Sequence, residues 1–145
     1  MKFCFAIFSS LIFWVSPGYA QKACPIIPQP AKADAVAQTF SVNNATPLII
    51  DHDSLESVAS YLKVQLLEQS QIPLIVWQTS AAKPAIRLSI NKNNGKEGAY
   101  SVSMNKSEVR ISGSGLQGLF YGVVTFLQLA QNGTKSGDQL LVNCW

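Results

Sequence analysis

The strongest constraint on this fold is a helical pattern that contains two glycines four residues apart. The apolar residues that recur at helical spacing are Leu116, Leu119, Phe120, Val123, Val124 and Leu127. Within this pattern, Gly118 and Gly122 together cost about 2 kcal/mol relative to alanine. A helix carries such a cost when its backbone must approach another element closely. We therefore expect this helix to lie directly against a sheet.

The residues before the helix predict the two strands that it covers. Tyr100, Val102 and Met104 alternate with polar residues, as a half-buried strand requires. Residues 105–107 have turn chemistry, and the alternation resumes in the next strand. The loop 112–115 then breaks the pattern before the helix begins.

The rest of the chain predicts four further strands and one more helix. Residues 24–33 contain three prolines and are expected to be extended without joining a central strand. The expected strands are 39–42, 47–50, 74–78 and 86–90. A helix over about 54–69 has the predicted buried stripe Leu55, Val58, Ala59, Leu62 and Leu66.

Asp53 is predicted to cap the helix over 54–69, with Glu56 three residues later completing a capping box. Each helix has a single apolar stripe that must be covered. The simplest arrangement is an α+β fold with both helices packed on one face of the sheet.

Residues 1–20 have the features of a signal peptide. Lys2 supplies the positive charge, residues 3–15 are mostly apolar, and Gly18 and Ala20 fit a cleavage site before Gln21. We expect export to the periplasm or the exterior. An uncleaved membrane anchor is disfavoured because the run is short for a bilayer core of about 30 Å. A lipoprotein acylated at Cys24 is a minor alternative, because Lys22 fits the required motif poorly.

Export would permit disulfides, and two cysteines would remain after cleavage. Cys4 leaves with the signal, whereas Cys24 and Cys144 lie near the two ends of the remaining chain. Chain ends often lie close together in a compact domain, so a disulfide is possible. Two unpaired thiols are the favoured interpretation.

Composition limits the classes of function. The formal charge of +3 falls to +2 when Lys2 is removed, and the remaining lysines are scattered along the chain. Nucleic-acid binding requires a concentrated basic face, so we expect none. The length suffices for one modest core.

No catalytic, metal-binding or cofactor-binding residue is predicted. Asp51 and Asp53 point to one side of an extended chain and His52 to the other, so a cap is favoured over a metal site. His52 is the sole histidine, which disfavours both a zinc centre and a serine nucleophile in the loop 112–115. The loop 112–115 is interpreted as a connector between a strand and a helix.

Other motifs also have structural interpretations. Gly118 and Gly122 match a membrane helix-pairing spacing, but Gln117 and Gln128 make the segment too polar and it is too short to span. Trp77 and Tyr121 have faces that suit a sugar ring. We expect both to lie in the core or to contact another domain.

These elements resemble the small N-terminal domain of the family-20 glycoside hydrolases, the β-N-acetylhexosaminidases. The matching features are Glu97 and Tyr100, the Gly-Leu-Phe-Tyr-Gly core at 118–122 and the Thr-Phe-Leu-Gln-Leu ending at 125–129. The segment 26–30, Ile-Ile-Pro-Gln-Pro, is similar to the opening of that domain. The departures are Ala99, inserted after Gly98, and Phe126, where leucine is commoner. The resemblance implies a mainly antiparallel sheet with two helices packed against it.

The resemblance also implies what this chain lacks. In the family a (β/α)8 barrel of roughly 250 residues follows this domain and carries catalysis. The family's adjacent Asp-Glu pair does not occur in this sequence. We expect a truncated chain that catalyses nothing alone, with a signal peptide at 1–20, the domain at 21–131 and the start of a linker at 132–145.

On this interpretation, the full-length parent is an exported glycosidase that removes terminal N-acetylhexosamine from glycans such as chitooligosaccharides. The partner of the domain is its own barrel. The glycan substrate is expected to bind only to the barrel. No cofactor, nucleic acid or membrane is expected to be involved after signal cleavage. Two alternatives remain: a free-standing exported module that binds glycans or a protein, and the equivalent domain of another glycosidase such as an α-glucuronidase.

Triplets of the glycosylation type begin at Asn44, Asn105 and Asn132, but the resemblance is bacterial and we expect no sugar on them.

One physical expectation concerns the C-terminal helix. Successive residues rotate by about 100°, so Leu119, Val123, Phe126 and Ala130 share one side while Phe120, Val124 and Leu127 lean to another. Tyr121 cannot face the same core as Phe126. We expect an exposed apolar patch around this helix and an association-prone product.

Overall fold

The computed structural model of the chain describes residues 26–27, 30–34, 36–78, 83–93 and 95–144. The expected signal peptide at 1–20, Cys4, Cys24 and Trp145 lie outside the described residues. The strands are β1 Thr39–Val42, β2 Pro47–Ile50, β3 Ile75–Trp77, β4 Ala85–Ile90, β5 Tyr100–Asn105, β6 Glu108–Gly113, β7 Thr134–Ser136 and β8 Gln139–Asn143. The helices are α1 Glu56–Ser70 and α2 Leu116–Gln131. The α+β class is confirmed.

The strands form two sheets, and the larger one is mixed. Its order is β3-β2-β4-β6-β5, in which only β5 and β6 pair antiparallel. The smaller sheet, β1-β8-β7, is antiparallel throughout. The strand directions therefore differ from the mainly antiparallel sheet that the resemblance implies. The reason is that α1 returns the chain to the starting end of β2, which makes β3 parallel to it.

Both helices cover the same face of the larger sheet, as expected. Leu48, Ile86, Val109 and Met104 lie side by side across β2, β4, β6 and β5, and all four are buried. The predicted stripe of α1 is buried in full. The smaller sheet contributes Phe40, Val42, Leu140 and Val142 to the same core.

The two glycines of α2 allow its backbone to lie against the β5–β6 hairpin. A β-carbon on Gly118 would collide with the carbonyl oxygen of Ala99, just before β5. A β-carbon on Gly122 would lie 2.6 Å from Cγ2 of Ile111 in β6. The expected close approach of helix and sheet is confirmed.

The N-terminal start of α1 corrects the predicted cap. A 3₁₀ turn, Asp53–Leu55, precedes α1, and His52 rather than Asp53 is its N-cap. Nδ1 of His52 accepts a hydrogen bond from the Ser54 amide at 3.1 Å. Asp53 instead accepts a 2.6 Å bond from the Gln78 side chain beyond β3. The capping box with Glu56 was wrong because the 3₁₀ turn moves the start of the helix.

Residues 132–145, which the sequence pattern predicts to begin a linker, belong to the fold as far as Cys144. Strand β8 pairs with β1 in the register Phe40 to Val142, and the hairpin β7–β8 completes the smaller sheet. The Val36 amide donates to the Cys144 carbonyl at 3.2 Å. The prediction was wrong because the residues around the turn between β7 and β8 are polar. The local pattern therefore did not indicate that Leu140 and Val142 pair with β1 and are buried.

An N-terminal segment whose described residues include Ile26 and Ile27, which we call the strap, contacts α2 and is held there by one side chain. Nε2 of Gln128 donates to the Ile27 carbonyl, and the Ile27 amide donates to Oε1 of Gln128, each at 2.9 Å. Ile26 is buried in the core beside this contact. Gln128 thus offers the strap the same two hydrogen bonds that a neighbouring strand would.

We predict that Gly118→Ala destabilises the protein although alanine is the better helix former. The helical gain of about 1 kcal/mol is outweighed because the new methyl group collides with backbone at Ala99, and overpacking of this kind costs about 1–3 kcal/mol or more. Urea unfolding measures the net effect. Gly115→Ser is the control, because Gly115 has open space around it and serine is a good N-cap. Equal stability of Gly118→Ala and the parent would contradict the close approach.

We predict that Gln128→Glu loosens the strap. Glutamate keeps an acceptor for the Ile27 amide but places a carboxylate against the Ile27 carbonyl, so one hydrogen bond worth about 0.5–1.5 kcal/mol is replaced by repulsion. Hydrogen exchange at the Ile27 amide should become faster. Gln131→Glu, at the exposed end of the same helix, should leave it unchanged. Unaltered exchange in Gln128→Glu would show that the core contact of Ile26 alone holds the strap.

Candidate functional site

The Asp51-His52-Asp53 cluster does not converge on a common point. His52 is engaged by Ser54, whose hydroxyl lies 3.1 Å from Nδ1, and Asp53 is engaged by Gln78. All three residues are exposed. Among the described residues, no three or more histidine, cysteine, aspartate or glutamate side chains come together as a metal site would require.

The loop after β6 is a connector between strand and helix. Ser112 lies at the end of β6, and its Oγ shares a 2.8 Å hydrogen bond with Oγ of Ser101 on β5. The Leu119 amide donates to the carbonyl of Gly115, which begins the hydrogen bonding of α2. The loop 112–115 therefore forms the turn from β6 to α2, and Ser112 contacts another serine instead of a catalytic base.

Trp77 and Tyr121 are not core residues, which corrects one of the two predicted placements. Trp77 is 48% exposed and lies on β3, at the edge of the larger sheet. Tyr121 is 43% exposed and lies on the outer side of α2. The apolar sequence of β3 predicts a core strand, but Ile75 and Trp77 lie at the edge of the sheet on the face opposite the helices and are exposed.

The two helices together present an exposed aromatic and aliphatic surface. We call it the helix-layer surface; it consists of Tyr61, Val64, Leu67, Leu116, Phe120 and Tyr121, each more than a third exposed. The rings of Tyr61 and Phe120 have centroids 5.0 Å apart, and those of Phe120 and Tyr121 are 6.4 Å apart. The aromatic part of the surface therefore extends from Tyr61 of α1 to Phe120 and Tyr121 of α2.

A polar contact fixes one ring at this surface. Nε2 of Gln117 donates to the Tyr121 hydroxyl at 2.8 Å, one turn along α2. Aromatic rings with one polar end are typical of surfaces that contact another protein. The sequence pattern missed Tyr61, because it lies outside the buried stripe of α1 and only the packing of the helices places it beside Phe120.

The expected distribution around α2 is largely confirmed. Leu119, Val123, Phe126 and Ala130 are buried, and Phe120 and Tyr121 are exposed. Leu127, which the pattern places on another side of the helix with Phe120, is buried as well, so α2 is buried on more than one side. The exposed apolar patch around the helix is confirmed, while its tendency to associate stays a prediction.

The cysteine that lies within the described part of the chain is a core residue. Cys144 is buried at the end of β8, and within the described residues it has no disulfide partner. Burial raises the pKa of the Cys144 thiol above its ordinary value of 9.0, although a backbone hydrogen bond at Phe40 acts in the opposite direction. A buried thiol of raised pKa is a packing group and a poor nucleophile.

Neither α1 nor α2 combines the length and the apolarity that crossing a membrane requires; this finding covers the described residues. The glycine spacing in α2 is accounted for by its contact with the β5–β6 hairpin.

Residues 23–142 match the model of glycosyl hydrolase family 20, domain 2. The chain belongs to this family. The match covers the strap, both helices and most of β8, so the described fold and the family-20 domain coincide. The helix motif at 118–129 that carries the resemblance is the segment that seats α2 on the sheet.

This chain is similar in sequence or in structure to known enzymes of the same family. The β-hexosaminidase of Porphyromonas gingivalis is 27% identical over 123 residues, which are 83% of this chain and 16% of that protein. An inactive mutant of the family-20 exo-β-N-acetylglucosaminidase from Vibrio harveyi superposes with a TM-score of 0.71 at 20% identity, over 83% of this chain and 18% of that one. The Streptomyces coelicolor β-N-acetylhexosaminidase gives 0.66 at 24% identity, over 83% and 25%. The family-20 domain thus spans a quarter or less of these three relatives.

We predict that the isolated family-20 domain associates through the helix-layer surface. Exposed contiguous apolar area drives self-association. Sedimentation of residues 21–145 should show oligomers that bind a dye for apolar surfaces, and Phe120→Glu should reduce both signals. Lys106→Glu, in the exposed β5–β6 turn, is the control. A monodisperse monomer that binds no dye at tens of micromolar would contradict the prediction.

Proposed function

We propose that this chain is the non-catalytic N-terminal domain of an exported β-N-acetylhexosaminidase. The observation that carries the proposal is the family-20 domain match over residues 23–142, together with relatives that are several times longer. Catalysis would lie on a (β/α)8 barrel that follows in the same chain, and the substrates would be glycans with terminal N-acetylhexosamine. The features of residues 1–20 support export.

The role of the domain would be to brace that barrel. The helix-layer surface is suited to this because its aromatic residues lie on the side of the helices that the domain's own sheet leaves uncovered. Tyr61, Phe120 and Tyr121 would be the central contacts, since large aromatic side chains dominate the energetics of most interfaces. The barrel is the occupant favoured by covalent continuity, because a tethered domain docks at a high effective concentration.

The proposal is tested first by the coding sequence downstream of Trp145. A continuous reading frame should encode a barrel that contains His-x-Gly-Gly-Asp-Glu. The product of that frame should hydrolyse para-nitrophenyl N-acetyl-β-glucosaminide, whereas residues 21–145 alone should not. A frame without that motif would refute the assignment of the parent enzyme and favour a free-standing module or another glycosidase.

The bracing role has its own test in the longer protein. Phe120→Glu should lower its melting temperature by several degrees, because a charge is buried in the interface between domain and barrel. Lys106→Glu again serves as the control. An unchanged melting temperature in Phe120→Glu would show that the helix-layer surface does not meet the barrel, whatever the activity of the enzyme.

A further inference from the structure

The larger sheet has a second face, opposite the helices, that carries an ordered row of side chains. In register, Trp77 pairs with Ile49, Ile49 with Arg87, Arg87 with Arg110 and Arg110 with Ser103. Paired residues point to the same side of a sheet, and adjacent strands lie about 4.8 Å apart. Trp77 and Arg110 are therefore about 14 Å apart on what we call the open sheet face.

A fixed ion-pair cluster lies at the centre of this row. Nε of Arg87 contacts Oε1 of Glu108 at 2.6 Å, and Nη2 of Arg110 contacts Oε2 of Glu108 at 3.1 Å. The Glu108 side chain is only 12% exposed, so the carboxylate is held in one orientation between the two guanidinium groups. Arg110 is 59% exposed, and its bonds to Glu108 use only one of its three nitrogens.

The cluster borders a shallow depression with hydrogen-bonding walls. The depression has a volume of about 430 Å³ and is lined by Asp51, Lys83, Arg87, Ser89, Glu108 and Arg110. Its three cations are largely offset by its two carboxylates. The site therefore has many oriented donors and acceptors but little net charge.

Trp77 forms an exposed aromatic plane at the β3 end of the row. Trp77 is 48% exposed, and its neighbour on the same strand and the same face, Ile75, is 59% exposed. Between Trp77 and the cluster, Ile49 is buried. Along this row, the exposed indole of Trp77 is therefore followed by the guanidinium and carboxylate groups of the ion-pair cluster, which can form paired hydrogen bonds.

We propose that the open sheet face binds a short oligosaccharide, with one pyranose ring on Trp77 and the hydroxyls of the following units at Arg110 and Glu108. A pyranose has an apolar C–H side and a rim of hydroxyls, which matches an indole beside a guanidinium–carboxylate pair. A length of about 14 Å suits a chain of linked rings and exceeds a single sugar. The site is placed by the side chains of the open sheet face alone, whereas the choice of N-acetylglucosamine oligomers as the probe rests on the proposed function.

Other classes of ligand fit this face less well. Nucleic acid requires a concentrated basic surface, which the two carboxylates remove. The core of a protein–protein interface is depleted of charged residues, and covering the Arg87–Glu108–Arg110 cluster with protein would carry a desolvation cost. An uncharged glycan leaves the cluster in contact with hydroxyl groups and water.

Calorimetric titration of the intact chain with soluble N-acetylglucosamine oligomers tests the proposal. We expect saturable binding that Trp77→Ala weakens by at least about fivefold and that Trp77→Phe partly restores. Lys135→Ala is the control, because it removes an exposed side chain on β7, in the smaller sheet, that takes no part in either proposed surface. Melting temperatures of all variants establish that they fold.

A second pair of variants separates glycan binding from simple attraction of anions. Arg110→Lys keeps the charge but loses the planar pair of donors, so it should weaken binding nearly as much as Arg110→Ala. Full affinity in Arg110→Lys with a steep loss in salt would overturn the proposal in favour of an anion site. Absence of saturable heat, or binding that Trp77→Ala leaves intact, would also overturn it.

Discussion

The close approach of α2 to the β5–β6 hairpin is the contact on which the rest of the structure depends. Gly118 and Gly122 remove the side chains that would hold the helix away from Ala99 and Ile111. Once α2 lies this low, Leu119, Val123 and Phe126 reach the core shared by both sheets. The same position brings Gln128 within reach of the strap and brings Phe120 beside Tyr61 of α1. One packing constraint therefore fixes the core, the strap and the helix-layer surface together.

The resulting domain has two chemically different outer surfaces. The helices expose aromatic and aliphatic side chains, whereas the opposite side of the larger sheet presents an ion-pair cluster and a single indole. An apolar surface gains most when another protein covers it, while charged groups are best left in contact with polar ligands and water. This difference separates the docking role proposed for the helices from the glycan contact proposed for the sheet.

Several elements could be predicted because their signals are local. The alternation in β5, β6 and β4 and the stripe of α1 each arise from neighbouring residues on one face of one element. The start of α1 could not be predicted from spacing alone, because a 3₁₀ turn capped by His52 precedes the helix and Gln78, which engages Asp53, is remote in sequence. Strand β8 was missed because its partner β1 lies about a hundred residues away. The parallel pairing of β2 and β3 is implied by the helix between them, a signal that the resemblance to an antiparallel sheet obscured.

The α+β class, the family and the close packing of α2 follow from the order of residues along the chain, because glycine spacing and hydrophobic periodicity act over one or two turns. The exposure of the aromatic residues follows from the folded arrangement, since Trp77 and Tyr121 occupy apolar segments whose burial depends on strand order and helix packing. The contact among Arg87, Glu108 and Arg110 also arises only on folding. Their contact follows from the register between β4 and β6, and register is set by the shared core and not by the residues that it brings together.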